Sequence, residues 1–328
     1  MKKIILLLFI LTGINFSQTF YGSNPLAHTY SIVARDSITG EMGVAVQSHW
    51  FSVGTLVAWG EAGVGVVATQ SFINASFGPR GLKLLKERLT PQQVVDSLIA
   101  SDEGRDVRQL AILDTKGNAA AYTGKNCIQF AGHKVGKNYS VQANLMISNK
   151  VWPAMATAFE NSKGQLAERL LAALEAAQKA GGDIRGKQSA ALLVVKGKST
   201  GKVWADRLVD LRVDDSTEPL KELGRLLKVH RAYEHMNNGD LAVENGNMKL
   251  AMQEYSSAEK MFSKNEEMKF WHAVTLANIG KLEEALPYFE KVFAVNNNWA
   301  ILIPRLVKAK LLNVDKASLN RILNLQKK

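Results

Sequence analysis

Between residues 29 and 71 short apolar runs alternate with turn residues. The run YSIVARD (30–36) is followed by Ser37-Ile38-Thr39-Gly40 and then MGVAVQS (42–48), while residues 57–60 and 64–71 are joined around Glu61-Ala62-Gly63. Such runs, bounded by Gly, Ser and Thr, predict two consecutive hairpins. The period then changes. Leu82, Leu85 and Leu89 recur at helical spacing, and Thr90-Pro91-Gln92-Gln93 supplies an N-cap, a first-turn proline and a capping-box glutamine ahead of the stripe Val94, Val95, Leu98, Ile99. Strand signals return at 110–114 and 119–123 around Lys116-Gly117, and again near 140–147. Helices are predicted at about 152–161 and 166–180, followed by extended stretches at 189–196 and 202–213 hinged at Ser199-Thr200-Gly201. Hairpin-linked strands with helices in pairs argue for antiparallel sheets flanked by helices, a mixed α/β (α+β) chain for which a four-layer sandwich fits, and against a doubly wound parallel sheet.

From residue 218 onward the pattern is helical and strand signals vanish. Gly246 and Gly280, Ala251 and Ala285, and Tyr255 and Phe289 each stand 34 residues apart. That is the tetratricopeptide period, with small residues where paired helices approach and an aromatic between them. Two such units need neighbours to bury their apolar faces, so this small all-α region is expected to lean on the first domain or on a partner.

The start of the chain has a separate logic. Lys2 and Lys3 precede an apolar run at 4–14 that is too short to span a bilayer comfortably, the pattern of a cleavable signal peptide. A cut after Ser17 makes Gln18 the first mature residue, with Asn15 an unfavourable residue three positions before the bond. The expected layout is therefore a signal peptide at 1–17, a pro-segment or linker at 18–28, an α/β domain at 29–217 and a helical domain at 218–328. The mature protein is expected to be exported, periplasmic or extracellular, with no membrane span. Cys127 is the only cysteine and cannot form an internal disulfide, so packing must supply the stability even in an oxidising compartment.

Charge adds little. Of the net +11, Lys2 and Lys3 contribute two, and seven basic residues from Arg305 onward face only Asp315. No aromatics interleave with a basic stripe, so nucleic acid is not an expected partner, and a solvated basic helix face accounts for the excess. Familiar signatures also fail. Gly181 to Lys187 has phosphate-loop spacing, but Gln188 replaces the magnesium-binding hydroxyl and the segment runs from helix to strand. The six histidines form no zinc-like pair and there is no Gly-x-Ser-x-Gly elbow, so neither metal nor cofactor is expected. What remains is Thr29, at the head of the first strand. Its hydroxyl is weak alone, but as the first residue of a cleaved chain it would have its own α-amine as the adjacent base.

The runs HTYSIVARD (28–36), GEMGVAVQS (40–48), GVGVVATQS (63–71), FGPRGLKLL (77–85), DEGRDVRQLAILD (102–114), FAGHKVG (130–136), VQANLM (141–146) and GGDIRGKQSAALLVV (181–195) resemble the domain-of-unknown-function 1028 family over about residues 29–215. The resemblance implies grouping with the N-terminal-nucleophile hydrolases, hence an αββα sandwich and amide-bond hydrolysis on an unassigned substrate. Members without a leader often begin Met-Thr-Phe-Ser, so that loss of Met exposes the residue matching Thr29. This chain departs from that pattern, because His28 and the segment from Gln18 precede Thr29.

On this reading Thr29 Oγ attacks a carbonyl, with Asn144 the first candidate oxyanion donor and Gln70 and Asn74 the next. Ser31 is a second hydroxyl, and Arg35 and Asp36 either tune the amine or pair beside the turn. Arg80, Asp183 and Arg185 lie in glycine-containing segments of the kind that carry binding groups. Ordinary strand, loop and helix-end hydrogen bonding is the alternative for each. Two functions follow: an exported amidohydrolase acting on a small amide or peptide, with the repeat region positioning a partner; or a non-catalytic binding protein that uses its tetratricopeptide-like groove. Association of sandwich domains into oligomers is compatible with both.

Overall fold

The computed structural model describes residues 26–326. The expected signal peptide and the pro-segment as far as residue 25 lie outside the described residues. Strand β1 (Leu26–Ala27) leads into β2 (Thr29–Arg35) and β3 (Met42–Ser48), and a one-turn helix α1 (Gly54–Val57) precedes β4 (Ala58–Glu61) and β5 (Gly65–Phe72). Helices α2 (Phe77–Lys86) and α3 (Pro91–Ala100) are followed by β6 (Arg108–Asp114), β7 (Ala119–Thr123), β8 (Gly132–Gly136) and β9 (Tyr139–Ala143). Then come α4 (Val151–Asn161), α5 (Leu166–Lys179), β10 (Ser189–Val195), the short α6 (Val203–Asp206) and β11 (Arg207–Val213). The remainder is helical: α7 (Pro219–Glu244), α8 (Met248–Met261), α9 (Glu266–Asn278), α10 (Leu282–Val295), α11 (Asn298–Lys308) and α12 (Lys316–Leu323). The chain is thus mixed α/β, with antiparallel sheets and a C-terminal helical region, and it divides into two compact units at Leu208–Val209.

One sheet runs β11-β10-β3-β2-β9-β8, the division between the units falling within β11, and the other runs β1-β5-β6-β7 with β4 also on β5. The edge of β5 is shared: β4 pairs with Gly65 to Ala68, and β1 pairs with Ser71 and Phe72. Helices α4 and α5 pack on the first sheet, α2 and α3 on the second, and the sheets face each other. Alternation along β2 builds these layers. Val33 enters the apolar core between the sheets with Val44, Val66 and Leu193, while Tyr30 points the other way and donates from its hydroxyl to Gln178 Oε1 on α5 at 3.0 Å. Gly43 leaves room for α5 and β10, since a Cβ there would stand 2.6 Å from Leu170 Cδ1 and 2.9 Å from the Leu193 carbonyl oxygen.

The capping box read from the sequence is present: Thr90 Oγ1 accepts from the Gln93 amide at 3.3 Å, and Gln93 Oε1 accepts from the Thr90 amide at 2.9 Å. Other boundaries differ. Residues 202–213 are not one strand, because Asp206 accepts hydrogen bonds from Ser199 Oγ, Thr200 Oγ1 and the Thr200 amide and folds the first half into α6. Val57 closes α1 rather than opening a strand, and the stretch near 140–147 stays extended only from Tyr139 to Ala143. Strand β8 was hidden in the sequence, since its mostly exposed GHKVG carries no apolar alternation.

In the helical unit, α8 and α10 have equal length and begin 34 residues apart. Gly246 and Gly280 take φ of 71° and 79° ahead of them, Ala251 and Ala285 are buried, and so are Tyr255 and Phe289. Phe270, Phe289, Phe293, Ala285 and Ile303 share the main core of this unit. Among the described residues no helix is long and apolar enough to cross a membrane.

Candidate functional site

Between the two sheets the facing positions change character along the strands. At one end they are Val33, Val44, Val66, Ala111 and Leu193. At the other they are Thr29, Ser31, Ser48, Gln70, Gln109, Gln142 and Asn144, every one of them 0 % exposed. The same alternation that buries valines deeper in the sandwich buries carboxamides and hydroxyls here, and such groups are tolerated away from water only when hydrogen-bonded.

They are bonded to one another across the sheets. Ser31 Oγ donates to Gln70 Oε1 at 2.5 Å and accepts from Gln142 Nε2 at 2.6 Å. Gln70 Nε2 donates to Gln109 Oε1 at 2.6 Å and to the Thr29 carbonyl at 3.2 Å. Gln109 Nε2 donates to the Ala143 carbonyl at 2.9 Å and Thr123 Oγ1 at 2.8 Å, and Asn144 Nδ2 donates to Gln109 Oε1 at 2.9 Å. A satisfied network of this kind fixes the backbone it grips, and here that is the start of β2.

The residue before Thr29 is held as firmly. His28 is 4 % exposed, its ring stands edge-on to Phe72 with centroids 5.3 Å apart, and its Nδ1 is 2.8 Å from Asn144 Oδ1. Asn144 Nδ2 is turned to Gln109 and, at 3.4 Å, to the Thr29 carbonyl, so Oδ1 is the acceptor and His28 Nδ1 carries the proton. Burial pushes the imidazole pKa below its ordinary value; the Asn144 hydrogen bond works against that shift, Arg185 adds to it, and Asp183 opposes it. The His28 carbonyl oxygen accepts from Ser48 Oγ at 2.5 Å and Arg185 Nη2 at 2.8 Å. Arg185 is aimed by Asp183, which takes Nη2 at 2.7 Å and Nε at 3.1 Å and is itself fixed by the His49 amide at 3.3 Å.

The structure therefore brings together Thr29, Asn144, Gln70, Asp183 and Arg185. Asn144 and Gln70 converge on the carbonyl of Thr29, whereas the carbonyl that precedes it is held by Arg185 and by Ser48, which sequence reasoning missed. Asn74 and Arg80 are placed elsewhere: Asn74 Nδ2 donates to Asp102 Oδ2 at 3.1 Å, and Arg80 Nη2 donates to Ser101 Oγ at 2.7 Å. Arg35 and Asp36 end β2 at the far side, where Asp36 accepts from the Ile38 and Thr39 amides and pairs with Arg169 at 3.1 Å. Cys127 is half-buried, its thiol donates to the Arg108 carbonyl at 3.3 Å, and burial pushes its pKa up, the environment of an unreactive thiol.

Two residues of left-handed backbone flank the network. Ser71 and Leu145, each directly following a network carboxamide, take φ of 73° and 58°. A left-handed conformation is uncommon for such residues, costs about 1–3 kcal/mol, and clusters at functional sites.

Known proteins supply a context for this geometry. No curated protein matches the chain. The crystal structure of a protein from Silicibacter pomeroyi, described as a DUF1028 protein, is similar at 33 % identity with a TM-score of 0.56; the match covers 61 % of this chain and 85 % of that one. A family model described as a family of unknown function, DUF1028, matches residues 29–223, beginning at Thr29 itself. The chain belongs to the DUF1028 family.

Proposed function

We propose that this protein is an exported amidohydrolase of the N-terminal-nucleophile type, in which Thr29 becomes the nucleophile once the His28–Thr29 bond is cut. The carrying observation is the paired grip of Ser48 Oγ and Arg185 Nη2 on the His28 carbonyl oxygen. Both donors polarise the carbonyl of the one peptide bond whose loss would free the Thr29 amine, and both are set to stabilise an oxyanion there. The helix–sheet–sheet–helix layering supports the fold assignment.

The cut follows from covalent geometry. A threonine Oγ reaches the preceding carbonyl carbon through a five-membered ring. Attack forms the C–O bond, the C–N bond to Thr29 breaks, and the nitrogen, keeping its own proton, takes the one displaced from Oγ to become the free α-amine. Water then adds to the ester, releasing a carboxylate that ends at His28 and restoring the Thr29 hydroxyl. In the cleaved protein the amine takes the Oγ proton during attack on a substrate amide and passes it to the departing amine. Water completes the second half, giving one acid and one amine per bond.

The test is a time course on the chain that starts at Gln18, followed by mass. Loss of the eleven-residue segment ending at His28 is expected, slowed about 100- to 1,000-fold in Ser48→Ala and in Arg185→Met, the usual effect of losing one oxyanion donor. Cleavage at the unaltered rate in both variants would remove the proposed role of the grip.

Uncleaved protein should also be acid-sensitive. With the folded imidazole pKa depressed, the unfolded chain binds the proton first, so stability is complete above about pH 6.5 and declines as pH falls below it. Denaturation midpoints of Thr29→Ala at neutral and mildly acid pH, compared with Thr29→Ala/His28→Asn, should show a shallower decline in the double variant.

We read the helical unit as tetratricopeptide-like on its 34-residue offset, with a protein or peptide partner for its groove.

A further inference from the structure

We infer that the segment ending at His28 occupies the acyl side of the substrate site, so that the cleaved protein acts on extended peptides whose acyl residue carries a hydrogen-bond-donating ring such as imidazole. The inference rests on the proposed exposure of Thr29.

Three observations define that acyl side. First, Leu26 and Ala27 pair antiparallel with Phe72 and Ser71, adding a short strand to the stretch of the β5 edge that β4 leaves uncovered. Release of the segment opens this edge, and an unpaired strand edge takes an extended peptide through backbone hydrogen bonds. Second, the His28 ring has a fitted place. Phe72 meets it edge-on, and Asn144 Oδ1 accepts from its Nδ1, with Oδ1 fixed as acceptor because Nδ2 is committed to Gln109. An aliphatic side chain would leave Oδ1 buried and unpaired, while a neutral imidazole satisfies it. Third, the carbonyl of this same residue lies on Ser48 and Arg185. The segment thus has its backbone recognised at Leu26 and Ala27 and its last residue recognised by ring and carbonyl, and the groups that do so remain when the segment departs.

In a substrate bound this way Thr29 Oγ adds to the acyl carbonyl, the amine leaves with the proton carried by the Thr29 α-amine, and water hydrolyses the ester to the free acid. The products are a peptide ending in the ring-bearing residue and an amine.

The probes are acetyl-Leu-Ala-His p-nitroanilide and the matching Gly and Leu compounds, offered to protein whose N-terminus has been sequenced. With Thr29 at the terminus, kcat/KM for the His compound should exceed that for the other two by about tenfold or more, since a site built around a hydrogen bond rejects analogues lacking it. The peptide Leu-Ala-His should compete with it. Equal turnover of the three, or turnover of none by protein that begins at Thr29, overturns the substrate assignment and leaves the nucleophile reading standing. A terminus elsewhere overturns both.

Discussion

Thr29→Ala is expected to remain joined to the segment ending at His28 and to lose at least about 1,000-fold in amide hydrolysis, because one substitution removes both the group that cuts the chain and the group that cuts the substrate. Thr29 begins the central strand β2, opposite Ser48 on β3 and beside Asn144, whose amide donates to its carbonyl at 3.1 Å. Alanine keeps that backbone pairing, so the fold should survive and the loss should be chemical. Intact mass and turnover of an amide panel, with far-UV circular dichroism as the control, make the comparison. Thr29→Ser should cleave and retain measurable activity. If Thr29→Ala is processed like the unaltered chain, Thr29 is not the internal nucleophile.

The largest effect on stability is expected from Asp102→Ala. Asp102 and Arg108 form an ion pair at 2.9 Å with side chains 9 % and 6 % exposed, and Arg108 Nη1 also donates to the Phe72 carbonyl at 2.6 Å. Asp102 is completed by Asn74 Nδ2 and the Gly104 amide. Removing the carboxylate leaves a guanidinium buried without its charge partner, which costs about 3–5 kcal/mol. Replacing both members, as Asp102→Leu with Arg108→Met, avoids the lone charge and should recover much of that loss. Urea denaturation of the two variants reads the difference directly. A loss below about 1 kcal/mol in the single variant would show the pair to be solvated. Asn74 is placed away from the oxyanion position considered on sequence grounds: it braces the Asp102 carboxylate, which pairs with Arg108, and Arg108 in turn donates to the carbonyl of Phe72, whose ring His28 meets edge-on.

Much of this architecture was legible from residue patterns because it rests on local rules. Thr90-Pro91-Gln92-Gln93 contains its own cap, and the alternation in YSIVARD and MGVAVQS dictates strands whatever lies around them. Strand β8 and helix α6 were not legible, since one depends on pairing with β9 and the other on Asp206 gathering hydroxyls from a turn. Of the residues clustered at the candidate site, Thr29, Asn144, Gln70, Asp183 and Arg185 were singled out from motif and chemistry, but Gln109, Gln142 and Ser48 were not. A signal for them existed. In QLAILD, Gln109 shares a face with Ala111 and Leu113; in MGVAVQS, Ser48 shares one with Val44 and Val46. A polar residue at the end of a core-facing register marks a place where the sandwich interior turns polar. What the pattern lacked was the pairing across sheets that joins these ends, which only tertiary structure supplies.

The position of the carboxamides also explains why the hydroxyl of Ser31 is poorly suited to act as nucleophile. Ser31 Oγ is tied between Gln70 Oε1 and Gln142 Nε2 and lies within β2, where no cleavage could supply it with a free amine without cutting the central strand. Its role is to carry the network from one sheet to the other.

N-terminal sequencing of protein purified from its native source tests the proposed cut immediately before Thr29 most directly. A mature terminus beginning Thr-Tyr-Ser-Ile is the expected result. A terminus at Gln18 in fully folded, amide-hydrolysing material would contradict it.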